Sequence, residues 1–197
     1  SNIDDIGYIQ ISSFISQSTP NEFIEALENT DKTKGLIIDL RGNAGGLLAN
    51  AVFVANLFIT KGKIVSIVGR NGFRYDVEAQ NTNVKINKPI VILVDNNSAS
   101  ASEILSGAMK DYHKAVIVGS KTFGKGMVQK IIPMPNSTGL NLTIAKYLTP
   151  NGSDINKKGI TPDKQVEFSI QDIESQNDIQ LKQACLILNN MITQHKM

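Results

Sequence analysis

The chain has a single cysteine, Cys185, among its 197 residues, so no intramolecular disulfide can form. Cys185 lies in an apolar helical pattern with no electropositive neighbours and reads as core filler rather than a nucleophile. Two histidines, His113 and His195, are too few for a zinc ligand set, so neither a metal nor any other cofactor is expected. No apolar stretch reaches the ~18 residues of a membrane-crossing helix. Charge of one sign is also lacking: 20 Lys+Arg against 18 Asp+Glu leave a net +2. With no basic block and no interleaving of basic and aromatic residues, nucleic acid is not an expected partner. What is present is ordinary globular composition, 41% hydrophobic and 19% charged. A chain of this length suits one domain, residues 1–197, that buries roughly 70% of its unfolded surface without staples.

The pattern along the chain alternates strands and helices. Residues 7–14 (GYIQISSF) alternate apolar and polar side chains, a strand signal. Thr19-Pro20-Asn21-Glu22 then reads as an N-cap, a first-turn proline and a capping-box glutamate. The runs 35–40 (GLIIDL), 89–95 (PIVILVD) and 115–119 (AVIVG) are nearly all apolar, as expected of strands covered on both faces. A strongly apolar helix is expected over 47–59 and another from the serine-rich turn to about Lys110. Asn71-Gly72 predicts a hairpin, and a second β-pair should fold across Pro135–Gly139. A C-terminal helix is expected over about 175–193. The order is α/β, with a mixed sheet and added antiparallel strands.

Three polar loops each follow one of the apolar strands. In the first, Gly42, Gly45 and Gly46 permit a tight backbone turn whose N–H groups can face inward. In the second, Ser98, Ser100 and Ser102 cluster where a strand passes into a helix. Ser100-Ala101-Ser102-Glu103 has capping-box spacing, which puts Ser100 at the helix mouth, near free N–H groups and the positive end of the dipole. Such a place can stabilise a tetrahedral oxyanion, although a bare N-cap has the same spacing.

The third loop sets Lys125 between Gly124 and Gly126. Gly119-x4-Gly124-Lys125 copies much of a phosphate-binding loop, but Gly126 replaces the metal-binding Ser or Thr and a β-like segment replaces the helix. The remaining readings are an exposed turn and a general base. A base must be unprotonated near neutrality, so Lys125 would have to be drawn out of water, with Phe123, Met127 and Val128 as its apolar surroundings. Gln129, four positions on, would share its strand face and could orient the amine without adding charge. Neither histidine lies in these loops, so a Ser-Lys pair fits better than a Ser-His-Asp triad.

Together these segments resemble the C-terminal processing peptidases, also called tail-specific proteases, a serine peptidase family with a Ser-Lys dyad. GLIIDLRGNAGGLL (35–48) is similar to the family's glycine-rich signature, NNSASASEILSGAMKD (96–111) to its nucleophile segment and GSKTFGKGMVQ (119–129) to its lysine segment. YLTPNGSDINKKGITPD (147–163) resembles the stretch that closes the catalytic core. The resemblance implies a ClpP/crotonase-like core with Ser100 as nucleophile, Lys125 as base and Gln129 as its orienting partner. It also implies an oxyanion hole from the N–H of Ala101 and of Gly45 or Gly46, with Ser98 and Ser102 as alternative nucleophiles. Asp111 matches a position often acidic in the family and is expected to be structural, while Ala44 stands where Pro or Gly is common.

The implied partner is a protein or peptide substrate with an exposed C-terminal tail, and the implied location is the bacterial periplasm or cell envelope. Such peptidases usually carry a PDZ domain ahead of these motifs. None fits between Ser1 and Arg41, so this is expected to be an excised core or a PDZ-less relative, completed by a PDZ domain in cis or by a homo-oligomer.

Overall fold

The computed structural model describes residues 2–3, 5–80, 86–136 and 138–194. Its elements follow the expected order: β1 (Asn2–Ile3), β2 (Ile6–Gln10), α1 (Thr19–Glu28), β3 (Gly35–Asp39), α2 (Leu48–Asn56), β4 (Lys63–Gly69), β5 (Arg74–Glu78), β6 (Ile90–Val94), α3 (Ala101–Asp111), β7 (Val116–Gly119), β8 (Met127–Met134), β9 (Thr138–Leu148), β10 (Lys164–Gln165), α4 (Ile170–Glu174) and α5 (Ile179–Gln194). Two strand groups form. A six-stranded sheet runs β1-β2-β3-β6-β7-β10, and a four-stranded sheet runs β5-β4-β9-β8. The mixed α/β architecture is the one expected.

The central strands are parallel: β2 with β3, β3 with β6, and β6 with β7. Because β3 and β6 are buried along their whole length, their alternate residues serve two different cores. Leu36, Ile38, Ile92 and Val94 face α1, α2, α3 and the four-stranded sheet. Ile37, Val91, Leu93 and Val118 face the other way, onto Ala184 and Leu188 of α5. Gly35 allows that approach, since a Cβ there would lie 2.9 Å from the Leu188 side chain.

Local details differ from expectation by small shifts. The N-cap of α1 is Ser18, whose hydroxyl bonds Glu22, so Pro20 still sits in the first turn. The hairpin forms between β4 and β5, with Gly72 at φ +75° in a four-residue connection, 70–73, longer than a two-residue Asn-Gly turn. The β8–β9 pair forms in register from Met127↔Lys146 to Met134↔Thr138, while Ser137 of its turn lies outside the described residues. The expected C-terminal helix is α5, which begins at Ile179 rather than about 175, and a short helix not expected, α4, precedes it. Cys185 is half-buried on α5 against the second core. Among the described residues no helix is long and apolar enough to cross a membrane.

Leu188 is fully buried at the centre of the α5 contact. Leu188→Ala should cost about 2–5 kcal/mol, read as a lower urea midpoint, because the sheet cannot collapse into the void. A loss below ~1 kcal/mol would mean that α5 is not firmly docked.

Candidate active site

Parallel pairing of β3, β6 and β7 brings the loops that follow them to one edge of the sheet, the position where sites in α/β proteins form. These are the three polar loops singled out above. Their contacts show how closely they meet. Ala99 N–H donates to the Asn43 carbonyl at 3.0 Å, and Phe123 N–H donates to the Ser98 carbonyl at 3.0 Å. Lys157 N–H reaches the Gly124 carbonyl at 2.8 Å, so the segment 149–161 closes over the lysine loop.

The three serines are sharply distinguished. Ser98 is fully buried, and its hydroxyl donates to the Leu40 carbonyl at 2.8 Å. Ser102 is fully buried, with its hydroxyl on the Asn43 carbonyl at 2.9 Å. Ser100 is partly exposed and has φ 55°, ψ −111°, a backbone state that costs a non-glycine residue about 1–3 kcal/mol. It caps α3 as the spacing implied. The Ser100 N–H donates to Glu103 Oε2 at 2.9 Å, while the Glu103 N–H donates to the Ser100 carbonyl at 2.9 Å. Ser100 and Glu103 thus form the capping box that opens α3, and no bond to a buried carbonyl takes up the Ser100 hydroxyl.

Glu103 carries more than a cap. It is fully buried, and its carboxylate also accepts from Thr122 Oγ1 at 2.6 Å, Gly124 N–H at 2.7 Å and Lys125 N–H at 2.8 Å. One anion therefore holds the backbones of Ser100 and Lys125 in a common frame, and none of its four donors is charged. Charge-assisted bonds of this kind are about twice as strong as neutral ones. Sequence reading took Glu103 for a capping residue. The missed signal is a glutamate in a helix whose first nine residues are all buried.

The glycine loop packs against the serine. A Cβ on Gly45, at φ +99°, would fall 2.8 Å from Ser100 Cβ and 2.7 Å from the Ala99 carbonyl oxygen, so only glycine fits. The Gly45 N–H, however, donates to Asn43 Oδ1 at 2.8 Å. Of the two glycines considered as oxyanion donors, Gly45 is thus already engaged, and Gly46 is left. Asn43 was not anticipated; nothing in sequence separates it from any other turn asparagine. Its side chain also donates to the Ile11 carbonyl at 2.7 Å.

Two expectations need correction. Lys125 is exposed, as is Phe123 at 66%, so apolar neighbours do not shield the amine. The loop turns Phe123 outward because its N–H is bound to Ser98 and Glu103 pulls in the next two amides. Lys125 precedes β8, which begins at Met127, so a count along that strand does not by itself bring Gln129 to the side of Lys125. Gln129 instead accepts from Asn141 Nδ2 on β9 at 3.3 Å. Asp111, at the end of α3, accepts from the Asn151 N–H at 2.9 Å, a structural contact. A strand, not a helix, follows Lys125, which removes the phosphate-loop reading.

At the base of the glycine loop, Asp39 is buried beneath Arg41. Its carboxylate accepts from Arg41 Nε and Nη2, from the Arg41 N–H, and from Tyr8 Oη at 2.6 Å. Burial, followed by the bond to Asp39 and its charge, pushes the Tyr8 phenol up to about 12. Burial opposes the Arg41 charge, but the hydrogen bonds to Asp39 and Asp178 outweigh it and raise the guanidinium further.

The model of peptidase family S41 matches residues 5–166. The chain belongs to peptidase family S41. A carboxy-terminal-processing protease of Bartonella bacilliformis is 44% identical over 172 residues, covering 83% of this chain and 39% of the relative. A carboxyl-terminal-processing protease of Synechocystis sp. is 39% identical over 197 residues, covering 97% of this chain and 46% of the relative. This S41 chain therefore spans less than half the length of these curated relatives. The solved photosystem II D1 C-terminal processing protease superposes with TM-score 0.77 at 36% identity, covering 82% of this chain and 42% of that one. Mature CPAF bound to lactacystin, at 16% identity and TM-score 0.76, shares the fold.

Glu103→Ala would strand three backbone N–H groups and the Thr122 hydroxyl. It should lower stability by at least about 3 kcal/mol in chemical denaturation. A loss under ~1 kcal/mol would show that water replaces the carboxylate.

Proposed function

We propose that this chain is the catalytic core of a serine endopeptidase that cleaves proteins near their C-termini through Ser100 and Lys125. The observation that carries the reading is Ser100 itself: strained, partly exposed, at a helix mouth, and the only one of three neighbouring serines whose hydroxyl is not committed to a buried carbonyl. Strain of this kind persists where the surrounding structure over-determines it, and here Glu103 and the glycine loop do so.

In the reaction, Ser100 Oγ attacks the scissile carbonyl and its proton passes to Lys125 Nζ. The developing oxyanion sits between the N–H groups of Ala101 and Gly46, the first aided by the α3 dipole. As the C–N bond breaks, Lys125 returns the proton to the leaving amine. Water then attacks the acyl-serine and gives a proton to Lys125; the acyl–Oγ bond breaks, and Lys125 passes that proton to Ser100 Oγ, which restores both groups. Bound substrate lies over the exposed amine and takes it out of water, the condition a lysine base needs. Gln129, held to Asn141 by one long bond, orients the amine once that cover is in place.

The exposure of Lys125 also favours a second reading, a peptide-binding core whose dyad assembles only with a partner, in cis or from another copy. Substrates with exposed C-terminal tails and a periplasmic or envelope location follow from the family resemblance.

Ser100→Ala and Lys125→Ala should each abolish cleavage of unfolded casein by the full protein, as followed on gels. Comparable cleavage by either variant would end the assignment. An inactive wild type that gains activity when a partner is added would support the second reading.

A further inference from the structure

The family match ends at residue 166, yet the residues that open α5 reach back to the glycine loop. Arg41 Nη1 and Nη2 donate to Asp178 Oδ1 and Oδ2 at 2.8 and 2.9 Å, a two-pronged pair. Arg41 Nη1 also meets Gln180 Oε1 at 3.3 Å. Gln180 is 1% exposed and donates to the Val166 carbonyl at 2.8 Å, so it staples α5 to the strand edge beside β7. Asp178 does a second task. Its Oδ1 accepts the Leu181 N–H at 2.9 Å and so caps α5.

Arg41 immediately precedes Gly42, the start of the loop. Its own N–H and side chain are both fixed by Asp39, and Gly42 N–H is held by Asp95 Oδ1 at 3.0 Å. The Arg41 side chain has 17% of its surface exposed, so its position depends on these two carboxylates rather than on solvent. Nη2 is shared between them, with Asp39 Oδ2 at 2.6 Å on one side and Asp178 Oδ2 on the other. Without Asp178 the guanidinium would keep only its bonds to Asp39 and Gln180, and the residue that leads into 42–46 would lose its two-pronged tie to α5.

We infer that Asp178, at the mouth of the C-terminal helix, is a positioning residue that latches Arg41 and thereby sets the glycine loop, whose Gly45 packs against Ser100. The inference rests on the peptidase reading for its effect on rate, but not for its effect on the loop. Two variants separate the latch from the cap. Asp178→Ser keeps a side chain that caps helices well but cannot reach Arg41; Asp178→Ala removes both functions.

The test measures hydrogen exchange of amides 42–47, unfolding by urea, and kcat and KM for an unfolded protein substrate, all on the full protein. Asp178→Ser should speed exchange of 42–47 and lower kcat about tenfold with KM within about twofold, since small misplacements of an oxyanion donor act on the transition state. It should leave the urea midpoint near wild type, while Asp178→Ala lowers kcat to the same degree and the midpoint as well. Asp178→Glu should restore part of the rate. If Asp178→Ser leaves exchange of 42–47 unchanged, or speeds it without lowering kcat, the latch is overturned. If kcat follows the urea midpoint, falling only in Asp178→Ala, α5 matters for stability alone. Should Ser100→Ala retain full cleavage, the peptidase reading fails, and the exchange result by itself decides whether Asp178 holds the loop.

Discussion

The buried Glu103 carboxylate is the interaction around which the site is arranged. An anion with no exposed surface needs compensation, and here four neutral donors supply it: the N–H groups of Ser100, Gly124 and Lys125 and the hydroxyl of Thr122. The donors come from two loops separated by a whole βα unit in sequence, so satisfying one charge forces the nucleophile and lysine loops together. Thr122 carries the frame one step further, since its oxygen accepts the Ile160 N–H at 2.6 Å and anchors the closing segment. The strain at Ser100 is sustained by this network, and relaxing it would unpair the carboxylate.

The sheet supplies the complementary constraint. Parallel strands send their connections to one edge, and the alternation within β3 and β6 divides their side chains between α1–α3 and α5. Helix α5 is therefore more than a cover for the far face. Through Asp178 and Gln180 it is joined to Arg41, which stands at the entrance to the glycine loop. The two faces of the sheet meet electrostatically at the edge where the chemistry is proposed.

Much of this was legible in the residues. The apolar runs 35–40, 89–95 and 115–119 announced buried strands, Asn71-Gly72 a hairpin, and Ser100-x-x-Glu103 a helix mouth, because each signal is local. Misreadings arose where a long-range contact overrode a local rule. Period-two counting put Gln129 on the face of Lys125, but β8 begins only at Met127, so the count starts outside the strand. The apolar neighbours of Lys125 suggested shelter, yet Phe123 is turned outward by bonds its own backbone makes to the serine loop. Gly45 and Gly46 looked equivalent until the Asn43 side chain occupied one of their N–H groups.

By itself the sequence determined which segments are strands, which are helices, and which loops hold serine, lysine and clustered glycines, since periodicity, capping and backbone permissiveness act over a few residues. Tertiary structure alone decided which two serines spend their hydroxyls on buried carbonyls, which glycine N–H the Asn43 side chain takes, that Glu103 binds both loops, and that Asp178 reaches Arg41. Those outcomes depend on donors and acceptors far apart in the chain competing for one another in a space with little water, and no local pattern records who wins.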